Sequence, residues 1–143
     1  MVRNSQALDR CDLLPSVLTG VSEVDMSVTV MGQKLEMPVY CSPSALQRLF
    51  QHRGERAVAA AADKYGTMFG VSSLGNVSLE ELREKHDTPQ VYQLFFHKDR
   101  GLNAAMMRRA KQKGVEVVML TVDSITEGNR ERDLRLVFRS PSG

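Results

Sequence analysis

The stretch that decides the fold runs from Thr67 to Phe96, TMFGVSSLGNVSLEELREKHDTPQVYQLFF. It opens with an apolar run, Thr67-Met68-Phe69-Gly70-Val71, that stops at Ser72-Ser73. Ser78-Leu79-Glu80-Glu81 then has the form of a capping box, the serine accepting from a free N–H of the helix it begins. A second apolar run, Gln90-Val91-Tyr92-Gln93-Leu94-Phe95-Phe96, closes the stretch. Two short apolar runs separated by one helix length read as parallel strands joined by a helical crossover.

The cycle extends in both directions. Upstream, Pro38-Val39-Tyr40-Cys41 ends in Ser42-Pro43-Ser44. The helix expected from Glu55 to Tyr65 would turn Val58, Ala61, Ala62 and Tyr65 to one face, with Gly66 as its C′ glycine. Downstream, Asp99 suits an N-cap for a helix from about Leu102 to Lys113. Gly114 ends that helix, and Val115 to Leu120 is a further run ending in Thr121-Val122-Asp123. Strand starts therefore fall near 38, 67, 90 and 116. Ahead of them, Val28 and Val30, a turn at Met31-Gly32-Gln33-Lys34, then Leu35 and Met37 alternate as a short β-hairpin. The segment up to Val24, punctuated by Pro15 and Gly20, shows no clear helical or strand period. The class is α/β with right-handed crossovers. An open doubly wound sheet and a closed barrel share this signature, although no G-x-G-x-x-G follows any strand, which weakens a dinucleotide-binding fold.

Composition narrows the function. The 143 residues allow one domain, and 42% hydrophobic with 25% charged residues suit a packed core. Nineteen Lys plus Arg against seventeen Asp plus Glu leave a formal charge of +2, which argues against a dedicated nucleic-acid binder. No apolar run reaches the roughly 18 residues a bilayer span requires. Arg3, Asp9, Arg10 and Asp12 interrupt any secretory h-region in Met1 to Leu14. Cys11 and Cys41 match neither a disulfide framework nor a metal-ligand spacing, so no metal is expected and a reducing cytosol is the simplest setting.

Each apolar run ends in small or polar residues: Ser42 to Ala45, Ser72 and Ser73, Gln93 among apolar neighbours, then Thr121 and Asp123. In both architectures ligands bind beyond the carboxyl ends of the strands, so this is the expected active face. Such residues also serve simply as loop starts and helix caps. A carboxamide inside an apolar strand must find partners, because burying it unpaired costs about 1–3 kcal/mol. A ligand edge or a core water would supply them to Gln93. Asp123 would either cap a turn or orient a histidine.

The segment Thr121-Val122-Asp123-Ser124-Ile125-Thr126-Glu127-Gly128-Asn129-Arg130-Glu131-Arg132-Asp133 resembles the fourth-strand signature of the FMN-dependent 2-hydroxy acid dehydrogenases and oxidases, the family of glycolate oxidase, flavocytochrome b2 and bacterial L-lactate dehydrogenase. Asp25-Met26-Ser27 to Gly32 with Met37-Pro38, Pro43-Ser44-Ala45, Gly54-Glu55, Val71-Ser72-Ser73 and Gln93-Leu94-Phe95 agree in order and spacing. The resemblance runs from about Asn4 to Pro141.

It implies a (β/α)8 TIM-type barrel of which this chain is a single partial domain: a lead-in segment and hairpin over 1–37, then the first four β/α units over 38–143. Pro43, Ser44 and Ala45 match the loop lying against the flavin ring, though the family more often has Thr at the middle position. Ser72, Gln93 and Thr121 match side chains that hydrogen-bond the edge of FMN. Asp123 matches the carboxylate that steadies the catalytic histidine, and Arg130 one of two arginines gripping the substrate carboxylate, where a planar fork suits two oxygens. Without the resemblance, Arg130 reads as a solvated loop charge.

Ala45 and Leu74 fall where the pocket around the substrate side chain is shaped, which suits a short acid such as L-lactate. Phe95 stands where the family usually has a tyrosine that hydrogen-bonds the substrate, so slowed chemistry is expected. The family reaction passes the α-hydrogen to the flavin while a histidine takes the hydroxyl proton, and none of His52, His86 and His97 matches that base. The expected function is therefore part of an FMN-dependent oxidoreductase whose chemistry needs a missing C-terminal half. A second chain completing the barrel is one expected partner, and the complete enzyme is expected to be a homo-oligomer, cytoplasmic or peripheral to the inner membrane. The isolated chain is expected to be inactive and to bind FMN poorly. The competing expectation is a non-catalytic half-barrel acting as an assembly module or remnant.

Overall fold

The computed structural model describes residues 2–123 and 128–137. Ser124 to Glu127 of the quoted signature, Met1, and the end of the chain from 138, including Pro141, lie outside the described residues. The elements are α1 (Val2–Leu8), β1 (Val28–Val30), β2 (Gln33–Leu35), a single 3-10 turn (Gln47–Leu49), α2 (Glu55–Lys64), β3 (Phe69–Ser72), α3 (Leu79–Lys85), β4 (Gln90–Phe95), α4 (Arg100–Gln112), β5 (Val117–Thr121) and α5 (Glu131–Arg135). The β3, β4 and β5 strands form one parallel sheet in chain order, and β1 pairs with β2 antiparallel.

The helix ends follow their sequence signals. Ser78 Oγ accepts the Glu81 N–H at 3.2 Å, and Asp99 accepts the Gly101 and Leu102 N–H groups. Gly66 and Gly114 sit at φ 59° and 73°, the left-handed turn that stops α2 and α4. The α4 helix starts at Arg100, two residues before the expected Leu102, because the Asp99 cap supports its first turn directly.

Alternate residues of the strands feed two layers. Phe69, Val71, Tyr92 and Leu94 pack under the helices with Ala59, Ala62, Leu79, Leu82 and Ala110. On the opposite side Leu35 of the hairpin packs with Met68 and Val91, and with the half-buried Val117 and Met119. The hairpin thus plugs the amino-terminal end of the inner face. Ion pairs lace the helices outside: Arg56 to Glu81 between α2 and α3, and Arg109 to Glu80 between α4 and α3, each through two nitrogens.

Four expectations need correction. The hairpin turn is only Met31-Gly32, both left-handed at φ 50° and 77°, so Gln33 and Lys34 belong to β2. A two-residue turn with positive φ at both positions matches the twist of a hairpin better than a four-residue one. The α2 helix buries Glu55, Ala59 and Ala62, whereas Ala61 and Tyr65 are exposed, because the sheet meets the helix roughly a quarter turn from the anticipated face, with which it shares Ala62. The lead-in segment contains the exposed helix α1. The run at Pro38 to Cys41 is a single bridge, Cys41 to Phe69, held by Cys41 N–H to Met68 O at 3.0 Å and Gly70 N–H to Cys41 O at 2.8 Å. Thr67 Oγ1 donating to Val39 O extends that seam.

On β3 and β4 the inner face is buried at Val91, Gln93 and Ser72. Exposure falls instead on the outer side of β5, at Val118 and Leu120. Among the described residues no helix is long and apolar enough to cross a membrane, and no group of three or more candidate metal ligands occurs.

Candidate active site

Three strands deliver one polar side chain each to the same place. The β3/β4 register sets Ser72 beside Gln93, and the β4/β5 register sets Gln93 beside Met119, two residues short of Thr121 and on the same side of the sheet. The Ser72 hydroxyl donates to Gln93 Oε1 at 2.9 Å, and Gln93 Nε2 donates to Thr121 Oγ1 at 2.6 Å. The partners the Gln93 amide required are therefore the hydroxyls of its neighbours. Ser72 and Gln93 are 5% and 4% exposed, so this relay lies in a largely dry environment where its bonds are strengthened. It leaves the second N–H of the Gln93 amide for a further acceptor.

The loop after the first run is pressed against the sheet. A Cβ on Gly70 would stand 2.5 Å from Pro43 Cδ and 2.6 Å from Pro43 N, so only glycine allows this approach. Pro43 and Ala45 are half-buried and Ser44 is exposed. A cavity of about 500 Å³ opens beside this loop, lined by Ser42, Ser44, Ala45, Phe50 and Val58 among others. The Leu74 N–H donates to Ser72 Oγ at 3.2 Å, linking the next loop to the relay. Leu74 is exposed and Phe95 half-buried; the Phe95 N–H donates to Ser73 Oγ at 3.3 Å.

Pro43, Ser44, Ala45, Ser72, Leu74, Gln93, Phe95 and Thr121 thus belong to the carboxyl ends of adjacent strands and the loops that follow them. Asp123 and Arg130 are exposed on the connection after β5. His86 Nδ1 pairs with Asp63 Oδ2 at 3.2 Å at the other end of α3, His52 lies in the exposed loop before α2, and His97 follows β4.

Two buried polar residues around this face had not been singled out individually. Glu55, fully buried at the start of α2, accepts the Asn76 N–H at 2.9 Å through Oε1. Asn103 of α4 accepts the His97 N–H at 2.9 Å and donates to the His97 carbonyl at 2.8 Å, fixing the loop after β4. Gly54-Glu55 carried a signal only as a motif; Asn103 carried none.

The FMN-dependent dehydrogenase family model matches residues 1–143. Glycolate oxidase 1 of Oryza sativa subsp. indica is 38% identical over 96% of this chain and 37% of its own length. An L-lactate oxidase of a Nostoc species is 40% identical over 98% of this chain and 40% of its own. Among solved structures, a mandelate oxidase variant with the C4a-OH-FMN adduct superposes with a TM-score of 0.85 at 35% identity, covering 98% of this chain and 42% of that one. The chain spans about two fifths of the length of these relatives.

Proposed function

This chain belongs to the FMN-dependent dehydrogenase family, and from that premise we propose that it is the first part of an enzyme that oxidises a small L-2-hydroxy acid, L-lactate by preference, to the 2-oxo acid. The partial α/β barrel is the family fold, and FMN is the family cofactor. The single observation that carries the proposal is the relay Ser72, Gln93, Thr121 on the carboxyl-terminal halves of three adjacent strands.

The relay suits the edge of a flavin, which presents acceptors and a donor in one plane. The Gln93 amide would offer its free N–H to a ring acceptor, while Ser72 and Thr121 hold that amide in place. The backbone of Pro43 to Ala45, seated by Gly70, would line the ring. Bound FMN supplies the acceptor for the two electrons leaving the substrate. Donors aimed at the edge where negative charge develops favour that reduction.

The Arg130 guanidinium would hold the substrate carboxylate through two parallel bonds, and the Asp123 carboxylate would steady the histidine that takes the hydroxyl proton. In this reading that histidine and the grip on the FMN phosphate would be supplied by residues outside this chain. Ala45 and Leu74 would wall the substrate side chain, and their small and aliphatic character supports the lactate preference. A cytoplasmic setting and a homo-oligomeric complete enzyme accompany this proposal.

The test is anaerobic mixing of the full-length protein, loaded with FMN, and L-lactate. Loss of the oxidised flavin absorbance with formation of pyruvate is expected. A flavin that stays oxidised with L-lactate, glycolate and mandelate alike would contradict the proposal and favour a non-catalytic module.

A further inference from the structure

The loop carrying Ala45 and the loop carrying Leu74 are stitched together by bonds that the relay does not require. The Leu46 N–H donates to Leu74 O at 3.2 Å, and the Arg48 N–H donates to Asn76 Oδ1 at 3.1 Å. The Asn76 N–H in turn reaches Glu55 Oε1 at 2.9 Å. Three successive bonds thus run from the first loop, across the second, to the start of α2. Leu46 is held at φ 52° and ψ 38°, a conformation a leucine adopts only where its surroundings dictate it.

Glu55 is the unusual member. A carboxylate that is 0% exposed, with one oxygen bound to a backbone N–H and the other without a hydrogen-bond partner among the described residues, is a costly way to hold a loop. Its neighbours make room for it. A Cβ on Gly75 would lie 3.2 Å from Glu55 Oε1 and 3.1 Å from Ser72 O, and one on Gly54 would lie 2.6 Å from Arg48 Cγ. Both glycines let the two loops and the helix start approach to bonding distance. What the arrangement holds constant is the spacing between Ala45, one residue before Leu46, and Leu74, whose own carbonyl is in the stitch.

We propose that Glu55 and Asn76 are positioning residues that set substrate size selection, by fixing the loop of Ala45 against the loop of Leu74. This rests on the assignment of those two residues as the walls of the side-chain pocket. Discrimination by a hydrophobic pocket amounts to about 10- to 200-fold per methylene, so small changes in wall spacing register in selectivity.

The experiment uses the full-length protein with bound FMN and compares kcat/KM for L-lactate with kcat/KM for L-2-hydroxyoctanoate. Asn76 is exposed, so Asn76→Ala removes the Arg48 acceptor without opening the core. It should lower the lactate-to-octanoate ratio by roughly three- to tenfold, on the order of one part of a methylene's discrimination. Asn76→Asp, which keeps an acceptor, should retain the wild-type ratio. Glu55→Gln should retain it also, since its amide oxygen still accepts from Asn76, whereas Glu55→Ala should lower it.

An Asn76→Ala enzyme whose KM values rise equally for both acids would overturn the proposal, because loosening without selectivity is a merely structural effect. Leu74→Ala separates the two levels. If it shifts the ratio while Asn76→Ala does not, the positioning role fails and the pocket assignment stands. If neither acid is oxidised by the wild-type enzyme, the underlying function fails instead.

Discussion

The two sides of β3 and β4 are made from alternate residues of the same apolar runs, and they are finished differently. On the helix side Phe69, Val71, Tyr92 and Leu94 meet α2, α3 and α4 in a continuous apolar layer. On the inner side the sequence changes character along each strand. Met68 and Val91 pack on the hairpin, while Ser72 and Gln93, further along, bind only polar partners. One side is therefore a core throughout its length. The other is a core at its amino end and a hydrogen-bonding surface at its carboxyl end, where ligands of parallel sheets bind.

The contrast can be broken by substitution. Phe69→Ala, on the fully buried helix side, should lower stability by about 3–5 kcal/mol through lost burial and the cavity left behind. Urea denaturation of the full-length variant measures this, and a much smaller loss would show that the helix layer is not the stabilising one.

On the inner side the large effect should be in rate. Phe95 lies on the same side as Gln93, and a Phe95→Tyr variant would add a hydroxyl to that face. If the hydroxyl meets charge developing on the substrate, single-turnover flavin reduction should quicken by on the order of 100-fold with little change in stability. An unchanged rate would remove Phe95 from the site.

The smallest expected effect lies on the outer surface of the helix layer. The Arg56 guanidinium and then the Lys85 ammonium bind Glu81, lowering its carboxyl from the ordinary 4.5 to about 2. A depressed carboxyl contributes stability that is present above its unfolded value and is lost as pH falls through its folded value. The stability gap between wild type and Glu81→Gln should thus be constant above about pH 5 and close between about 4.5 and 2. Both partners are partly solvated, so the gap itself should be small. A gap that widens on acidification would reverse the assignment.

Much of this organisation was legible in the sequence where it depends on neighbours in the chain. The caps at Ser78 and Asp99, the glycines at 66 and 114, and the strand ends at Ser72, Gln93 and Thr121 are local signals. The convergence of those three strand ends follows because parallel register keeps side chains of one parity on one side.

Other features depend on partners remote in sequence. Which face α2 buries is set by the position of the sheet, so the apolar count alone favoured Ala61 and Tyr65, which are exposed. The first run reads as a strand by composition, yet only Cys41 pairs with β3, opposite Phe69. Glu55 has a role visible only when Asn76 is brought to it from across the next strand, and no periodicity announces a buried polar residue of that kind.

The most direct test of the account is FMN titration of the full-length apoprotein, followed by flavin fluorescence, for wild type and Gln93→Leu. Leucine fills similar space without the amide, so the fold should persist while FMN affinity falls by on the order of tenfold, the worth of a buried hydrogen bond. Equal affinity in the two proteins would mean that the relay of Ser72, Gln93 and Thr121 serves the sheet alone.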